Sequence, residues 1–159
     1  MKICGIDSAT QKTGISLFDN GILKDYTLID LHKNKDTENR IQCMMIEIGK
    51  QLDVWYPDII YIEDTTDQNN VKVLKQLTQI IGSVIYWCCL NNKEINLLVP
   101  SKWRSVSGIQ KGKKKRNELK AESMKYVEEH YNLKVGDDVA DAILIGEAGC
   151  VFKENENEY

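Results

Sequence analysis

The chain of 159 residues has two prolines, two histidines and two phenylalanines. Both prolines, Pro57 and Pro100, stand at breaks between patterned segments. With so few imidazoles, a histidine-based metal site or acid–base pair has almost nothing to draw on. His32 and His130 read as surface or packing residues. No apolar run approaches the ~18–20 uninterrupted residues that a membrane span needs. The start, MKICGIDSAT, carries one lysine but no apolar core long enough for a signal peptide. A cytoplasmic protein with no membrane partner is expected. The cysteines, Cys4, Cys43, Cys88, Cys89 and Cys150, are odd in number and lack metal-finger spacing, so buried free thiols are expected. There is no internal repeat and no low-complexity linker. The length suits one domain, residues 1–152, with a flexible polar tail at 153–159.

Charge is scarce in one respect and crowded in another. The formal net charge is only −3, yet Lys102, Arg104, Lys111, Lys113, Lys114, Lys115, Arg116 and Lys120 fall in one short stretch against Glu118 alone. The remainder of the chain is therefore acidic. A basic block on an acidic body points to a local polyanion site.

Hydrophobic periodicity gives the element order. Lys2–Asp7 reads as a short strand ending on a carboxylate, and Gly14–Asp19 alternates as a second. Asn20-Gly21 is a two-residue hairpin signal leading into a third strand, Ile22–Asp30. Residues 36–56 form a helix, with Ile41, Met44, Met45, Ile48, Leu52 and Trp55 on one stripe. Ile59–Glu63 is a strand, again ending on a carboxylate. A second long helix covers 69–91, with Leu74, Leu77, Ile81, Val84 and Ile85 inward, and Ile95–Val99 is the fifth strand. The basic segment reads as a loop up to Gly112. Helices follow over 116–131 and from Asp138 to about 152. The order β-β-β-α-β-α-β-α-α implies an α/β fold: a five-stranded mixed sheet, antiparallel meander then parallel strands, with helices on both faces. That is the ribonuclease H-like arrangement. Trp55 and Trp87 are expected in the core. Trp103, inside the basic segment, suits either packing or stacking on a nucleic acid.

In such a sheet strands one and four lie side by side, so Asp7 and Glu63 meet. Asp138 and Asp141 share one face of the first turn of the last helix, where the helix dipole favours anions. No cation lies within DDVADAILIG. Carboxylates brought together raise one another's pKa, and a hard divalent cation relieves this. Two such ions ~3.5–4 Å apart activate a water and stabilise the leaving oxygen of a phosphodiester. Each acid also has a plain structural role open to it. Asp137 or Asp138 serves as an N-cap, Asp7 as a turn-former and Glu63 as a strand end. Asp141, on an otherwise apolar helix, has no such role.

Four patches together, GIDSATQKTGISLFDNG, IYIED, LVPSKWRSVSGIQKGKKKR and DDVADAILIG, resemble the RuvC family of Holliday junction resolvases, particularly its short bacteriophage-type members. The resemblance runs from residue 3 to about 149. It implies that Asp7, Glu63, Asp138 and Asp141 are the catalytic, metal-binding acids, Asp138 rather than Asp137 because the family spacing is three. It implies Mg²⁺, or Mn²⁺, with two ions per site, and no nucleotide cofactor. It implies a homodimer that binds four-way junctions and nicks two strands symmetrically, leaving 5′-phosphate and 3′-hydroxyl ends, in a bacterial or phage-infected cytoplasm. Some cellular members carry a wedging aromatic three residues after the strand-four glutamate. Here that position is Thr66, followed by Asp67, which implies a looser preference that extends to forks.

The basic segment fits phosphate contact rather than base reading, through Lys102, Arg104, Lys111, Lys113, Lys114, Lys115 and Arg116, with Ser107 or Lys111 near the scissile phosphate. A solvated basic loop is its structural alternative. GIDSATQKTG also resembles the first phosphate loop of actin-like ATPases and sugar kinases, but those need a second lobe. A non-catalytic branched-DNA binder and a nuclease of RNA–DNA hybrids remain as rival functions.

Overall fold

The structure is a computed structural model that describes residues 1–65, 70–109 and 112–157, the side chain of 157 excepted. Thr66, Asp67 and Lys111 lie outside the described residues. Five strands, β1 (Lys2–Asp7), β2 (Lys12–Asp19), β3 (Ile22–Asp30), β4 (Ile59–Glu63) and β5 (Glu94–Leu98), form one sheet in the order β3-β2-β1-β4-β5. β1, β2 and β3 pair antiparallel; β4 pairs parallel to β1, and β5 parallel to β4. The β2–β3 hairpin turns on Asn20 and Gly21, both at positive φ (49° and 77°), as a two-residue primed turn requires.

The helices are α1 (Thr37–Trp55), α2 (Val71–Asn91), α3 (Pro100–Val106), α4 (Arg116–Tyr131) and α5 (Asp137–Asn157). They divide between the two faces. Alternation along the strands sends Cys4, Ile6, Ile15, Leu17, Ile60 and Ile62 into a core with α1 and α2. It sends Ile3, Phe18, Ile59 and Tyr61 into a second core with α3, α4 and α5. Trp55, Trp87 and Trp103 are all buried. Asp36 caps α1 through its side chain to Asn39 N, Asn70 caps α2, and Asn92 and Asn132 end α2 and α4 in the left-handed conformation.

Five expectations change. The start of the basic segment is helical, not loop: Pro100 at the first position of α3 loses nothing by lacking an N–H there. α5 runs through Asn157 rather than ending near 152, and Lys153 in its last turns bonds Glu94 and Glu156. α2 is, by length and mean hydropathy, apolar enough to cross a membrane although it has no uninterrupted run. Its Leu77, Ile80, Ile81, Val84 and Trp87 side is packed in the α1–α2 core, while Ile85, expected inward, is exposed one position off that stripe. Finally, the five cysteines are free but not all buried: Cys89 is exposed and Cys43 half-buried.

Burial raises the Cys88 and Cys150 thiols to about 11 and about 12, and Cys4 further still. The thiolate is the reactive form. Ellman's reagent on the native protein therefore titrates Cys89 first and Cys43 next. Cys4, Cys88 and Cys150 react only once guanidinium unfolds the chain; rapid release of all five thiols without denaturant contradicts this packing.

Candidate active site

Strand alternation decides which way the first two acids point. Ile3, Gly5 and Asp7 share one face of β1, and Ile59, Tyr61 and Glu63 the same face of β4, the side covered by α5. Parallel pairing brings Ile6 opposite Ile62, so Asp7 and Glu63, each one residue further, leave adjacent strand ends together. The turn after Asp7 is held by its own side chains. Thr13 Oγ1 donates to Ala9 O (3.1 Å) and accepts from Ala9 N (3.2 Å). Arg40 reaches across from α1 to donate to Thr10 O at 2.8 Å.

α5 brings the other two acids. It lies against β1 and β2 so closely that glycine is required on both sides of the contact. A Cβ at Gly5 would stand 2.4 Å from Ala142 O, and one at Gly14 2.0 Å from Asp138 O. A Cβ at Gly146 would meet the Phe18 ring at 2.7 Å. Ser16 Oγ, fully buried, donates to Ala142 O at 2.7 Å and locks the register of the helix on the sheet. Gly14 is also the residue that pairs with Asp7. The first turn of α5 thus rests directly beside the end of β1.

The electrostatics follow from that geometry. Burial raises the Asp7 pKa well above the usual 3.8, and Glu63, Asp141 and Asp138 raise it further, while Lys120 opposes them. Burial likewise raises Glu63, offset by the hydrogen bond from Trp103 and by Arg104, with Asp141 pushing it up. Asp141 is 7% exposed, and its Oδ1 has no hydrogen-bond partner. Burial raises its pKa; the neighbouring Ser123 hydroxyl, Arg104 and Lys120 ease it. Ser123 stands close enough to favour the ionised carboxylate, yet its buried oxygen completes no hydrogen bond. Asp138 is raised by burial and by Asp137. Asp137 behaves oppositely. Burial pushes it up, but the hydrogen bond and charge of Lys120, together with backbone N–H donors, outweigh that and lower it on balance. The two adjacent aspartates are therefore distinguished: Asp137 is paired, while Asp138 adds to the uncompensated negative charge.

The four expected acids are brought to one end of the sheet, each within electrostatic reach of another. They are not closed up: among the described residues, no three Asp, Glu, His or Cys side chains form a group that could hold a metal ion as they stand. The donor chemistry nonetheless fits a hard cation. All four are carboxylates, three interact directly with Asp7, and the most buried of them, Asp141, keeps an unpartnered oxygen. Neither histidine bonds one of the four acids among the described residues. His32 bonds Asp30, and His130 stacks on Tyr126 with ring centroids 3.8 Å apart.

The basic residues divide. Lys102, Lys113, Lys114, Lys115 and Arg116 are exposed, with Lys114 bonded to Glu122 and Arg116 close enough to affect Glu63. Arg104 instead turns inward, its Cζ 4.3 Å from the centre of the Trp103 ring, and favours the ionised forms of Glu63 and Asp141. Ser107 Oγ is buried without a partner, so it does not present itself to solvent. Two residues of the site were not among the expected ones. Lys120 was read only as part of the basic block; its place on a helix, with Ser123 one turn on, is the signal it offered. Trp103, fully buried, neither stacks outward nor merely packs: its Nε1–H donates to Glu63 Oε2 at 2.9 Å.

Comparison with known proteins bears on the family and the fold. The family model for crossover junction endodeoxyribonuclease RuvC matches residues 3–146. The RuvC of Dictyoglomus turgidum is 23% identical over 149 residues, 91% of this chain and 93% of the relative. That of Fusobacterium nucleatum is 27% identical over 150 residues, 91% of this chain and 77% of the relative. Among solved structures, Thermus thermophilus RuvC in complex with Holliday junction substrate superposes with a TM-score of 0.76 at 13% identity, covering 98% of this chain and 96% of the other. The yeast mitochondrial Holliday junction resolvase does so with 0.62 at 16% identity, covering 99% and 80%. At such identities the solved structures speak to the fold, which is the ribonuclease H-like one expected. The family rests on the model match along nearly the whole length: the chain belongs to the RuvC family of crossover junction endodeoxyribonucleases.

Proposed function

We propose that the chain is a metal-dependent endonuclease that binds branched DNA as a homodimer and resolves four-way junctions by paired nicks. The observation that carries this is Asp141: a buried carboxylate with an unpartnered oxygen, on a helix seated beside Asp7 and Glu63. The family is one of divalent-metal-dependent nucleases, and a RuvC has been solved on a Holliday junction. In this reading Asp7, Glu63, Asp138 and Asp141 hold Mg²⁺ or Mn²⁺, with two ions as the expected complement. When bound, the metal lowers the pKa of a water for attack and stabilises the leaving oxygen, giving 5′-phosphate and 3′-hydroxyl ends.

The chain's own part is positional. Lys120 engages Asp137 and so leaves Asp138 and Asp141 without an ion-pair partner among the described residues. Lys102, Lys113, Lys114, Lys115 and Arg116 take the DNA backbone, with Lys111 in the same stretch; Arg104, whose charge acts on Glu63 and Asp141, would meet a phosphate held beside them. Ser107 is assigned to positioning this segment rather than to the phosphate, because its oxygen is turned in. No histidine serves as base, so the proton leaves through solvent at the site.

The test is cleavage of a labelled four-way junction, a fork, a plain duplex and an RNA–DNA hybrid in Mg²⁺. Paired symmetric nicks in the junction support the reading, and fork cleavage as well fits the Thr66 position. Cutting of the hybrid alone, or binding without cutting in Mg²⁺ and Mn²⁺, overturns it in favour of a hybrid nuclease or a binding module. A triple replacement of Lys113, Lys114 and Lys115 by serine weakens junction and duplex alike. It flattens the logarithmic salt dependence of binding by about 0.9 per lost phosphate contact, measured by anisotropy across a salt series.

A further inference from the structure

We infer that Trp103 is a positioning residue for Glu63, its indole N–H holding Oε2 so that Oε1 is kept for the reaction centre. The inference rests on the proposed role of Glu63. Three features of the contact carry it. The hydrogen bond, 2.9 Å, joins α3 to the end of β4 across 40 residues of sequence. The donor cannot wander: Trp103 has no exposed surface and is set in the α3–α4–α5 core. Arg104 covers its ring at 4.3 Å. Oε1, by contrast, takes no hydrogen bond among the described residues.

The chemistry of the donor matters as much as its place. A buried carboxylate needs a partner, and most partners would be cations. A lysine or arginine on Glu63 would cancel the charge that draws a divalent ion. An indole N–H is a donor only, uncharged and unable to accept. It lowers the cost of holding Glu63 ionised, fixes the carboxylate's rotation and leaves its charge intact. Groups that orient a metal-binding side chain in this way are worth about 10- to 100-fold in metal affinity or activity when lost. β4 supplies none of this: after Glu63 the chain leaves the sheet, with Asp64 N bonded to Leu98 O, and nothing on the strand itself orients the side chain.

The experiment uses the full chain with Trp103→Phe, which keeps an aromatic ring in the core and removes the N–H. Mn²⁺ binding to DNA-free protein is measured by calorimetry, beside junction nicking as a function of Mg²⁺ and junction binding in EDTA. The expected result is an about 10- to 100-fold weaker Mn²⁺ affinity, a matching rise in the Mg²⁺ needed for nicking, and unchanged binding of the junction. Should the phenylalanine variant misfold, 3-(3-benzothienyl)alanine at 103 replaces the N–H by sulfur with the same ring shape, and the same results are expected. Wild-type Mn²⁺ affinity in either folded variant overturns the inference. Glu63→Gln separates the two levels. If it abolishes Mn²⁺ binding and nicking while the Trp103 variants match wild type, the positioning role alone fails; if it leaves both intact, the reading of Glu63 fails with it.

Discussion

Asp141→Asn melts at a higher temperature than the wild type in EDTA, and it does not cut. The two effects have one cause. Asp141 is the most buried of the four acids, its Oδ1 has no donor, and burial together with Asp137 holds its pKa above the usual value. An amide of the same shape removes a charge that the fold disfavours. The sign with pH follows. A carboxyl whose folded pKa lies above its unfolded value keeps its proton longer in the folded state. The metal-free wild type therefore loses stability as pH rises from the ordinary 3.8 through the raised value. The asparagine variant lacks that part of the loss, so the two melting curves converge in acid and separate toward neutrality. Activity moves the other way. A direct metal ligand outweighs an orienting partner, so nicking falls by more than the about 100-fold that loss of such a partner costs at most, while the junction stays bound. Thermal melts from pH 4 to 8 in EDTA, with nicking assays in Mg²⁺, check both halves. A variant less stable than wild type at neutral pH would show that Asp141 is a structural carboxylate.

Gly14→Ala is expected to damage the protein as severely as any single methyl group in it. Its Cβ would stand 2.0 Å from Asp138 O and 2.5 Å from Asp138 C, which are backbone atoms and cannot rotate away. Overpacking in a filled core costs about 1–3 kcal/mol, occasionally more, and a clash between backbones belongs at the upper end. For a chain of this size that lowers Tm by roughly 10 °C. Relief requires the first turn of α5 to lift from β2, and that turn carries Asp138, with Asp141 just after it. Any surviving folded protein therefore nicks poorly while its basic face still binds DNA. Gly49→Ala is the control: nothing lies within 4 Å of its Cβ position, and α1 gains a better helix former. Equal melting temperatures for the Gly14 and Gly49 variants would refute the close seating of α5.

Most of the architecture is carried by local signals. The Asn20-Gly21 turn, the breaks at Pro57 and Pro100 and the two strands that end on carboxylates mark the meander, the β1–β4 neighbours and their acids. Alternation on β1 and β4 then decides the face. What escapes such reading depends on partners distant in sequence. Gly5 and Gly14 look like ordinary strand and turn glycines until α5 is laid across them. Lys120 looks like one more basic residue until α4 turns it toward Asp137, supplying the cation that DDVADAILIG itself lacks. Trp103 sits in a stretch whose basic residues suggest a loop, so its indole is read as packing or as stacking on DNA rather than as a donor to Glu63. The separation of Asp137 from Asp138 is of the same kind, since the resemblance selects Asp138 by its spacing while the ion pair with Lys120, far off in sequence, sets Asp137 apart.

The most direct measurement is nicking of a labelled four-way junction as a function of Mg²⁺ by wild type and by Asp7→Asn, Glu63→Gln, Asp138→Asn and Asp141→Asn, with binding followed in parallel. The account predicts metal-dependent paired nicks by wild type and binding without nicking by all four variants. Wild-type nicking by any of the four variants, or nicking by wild type in EDTA, would contradict it.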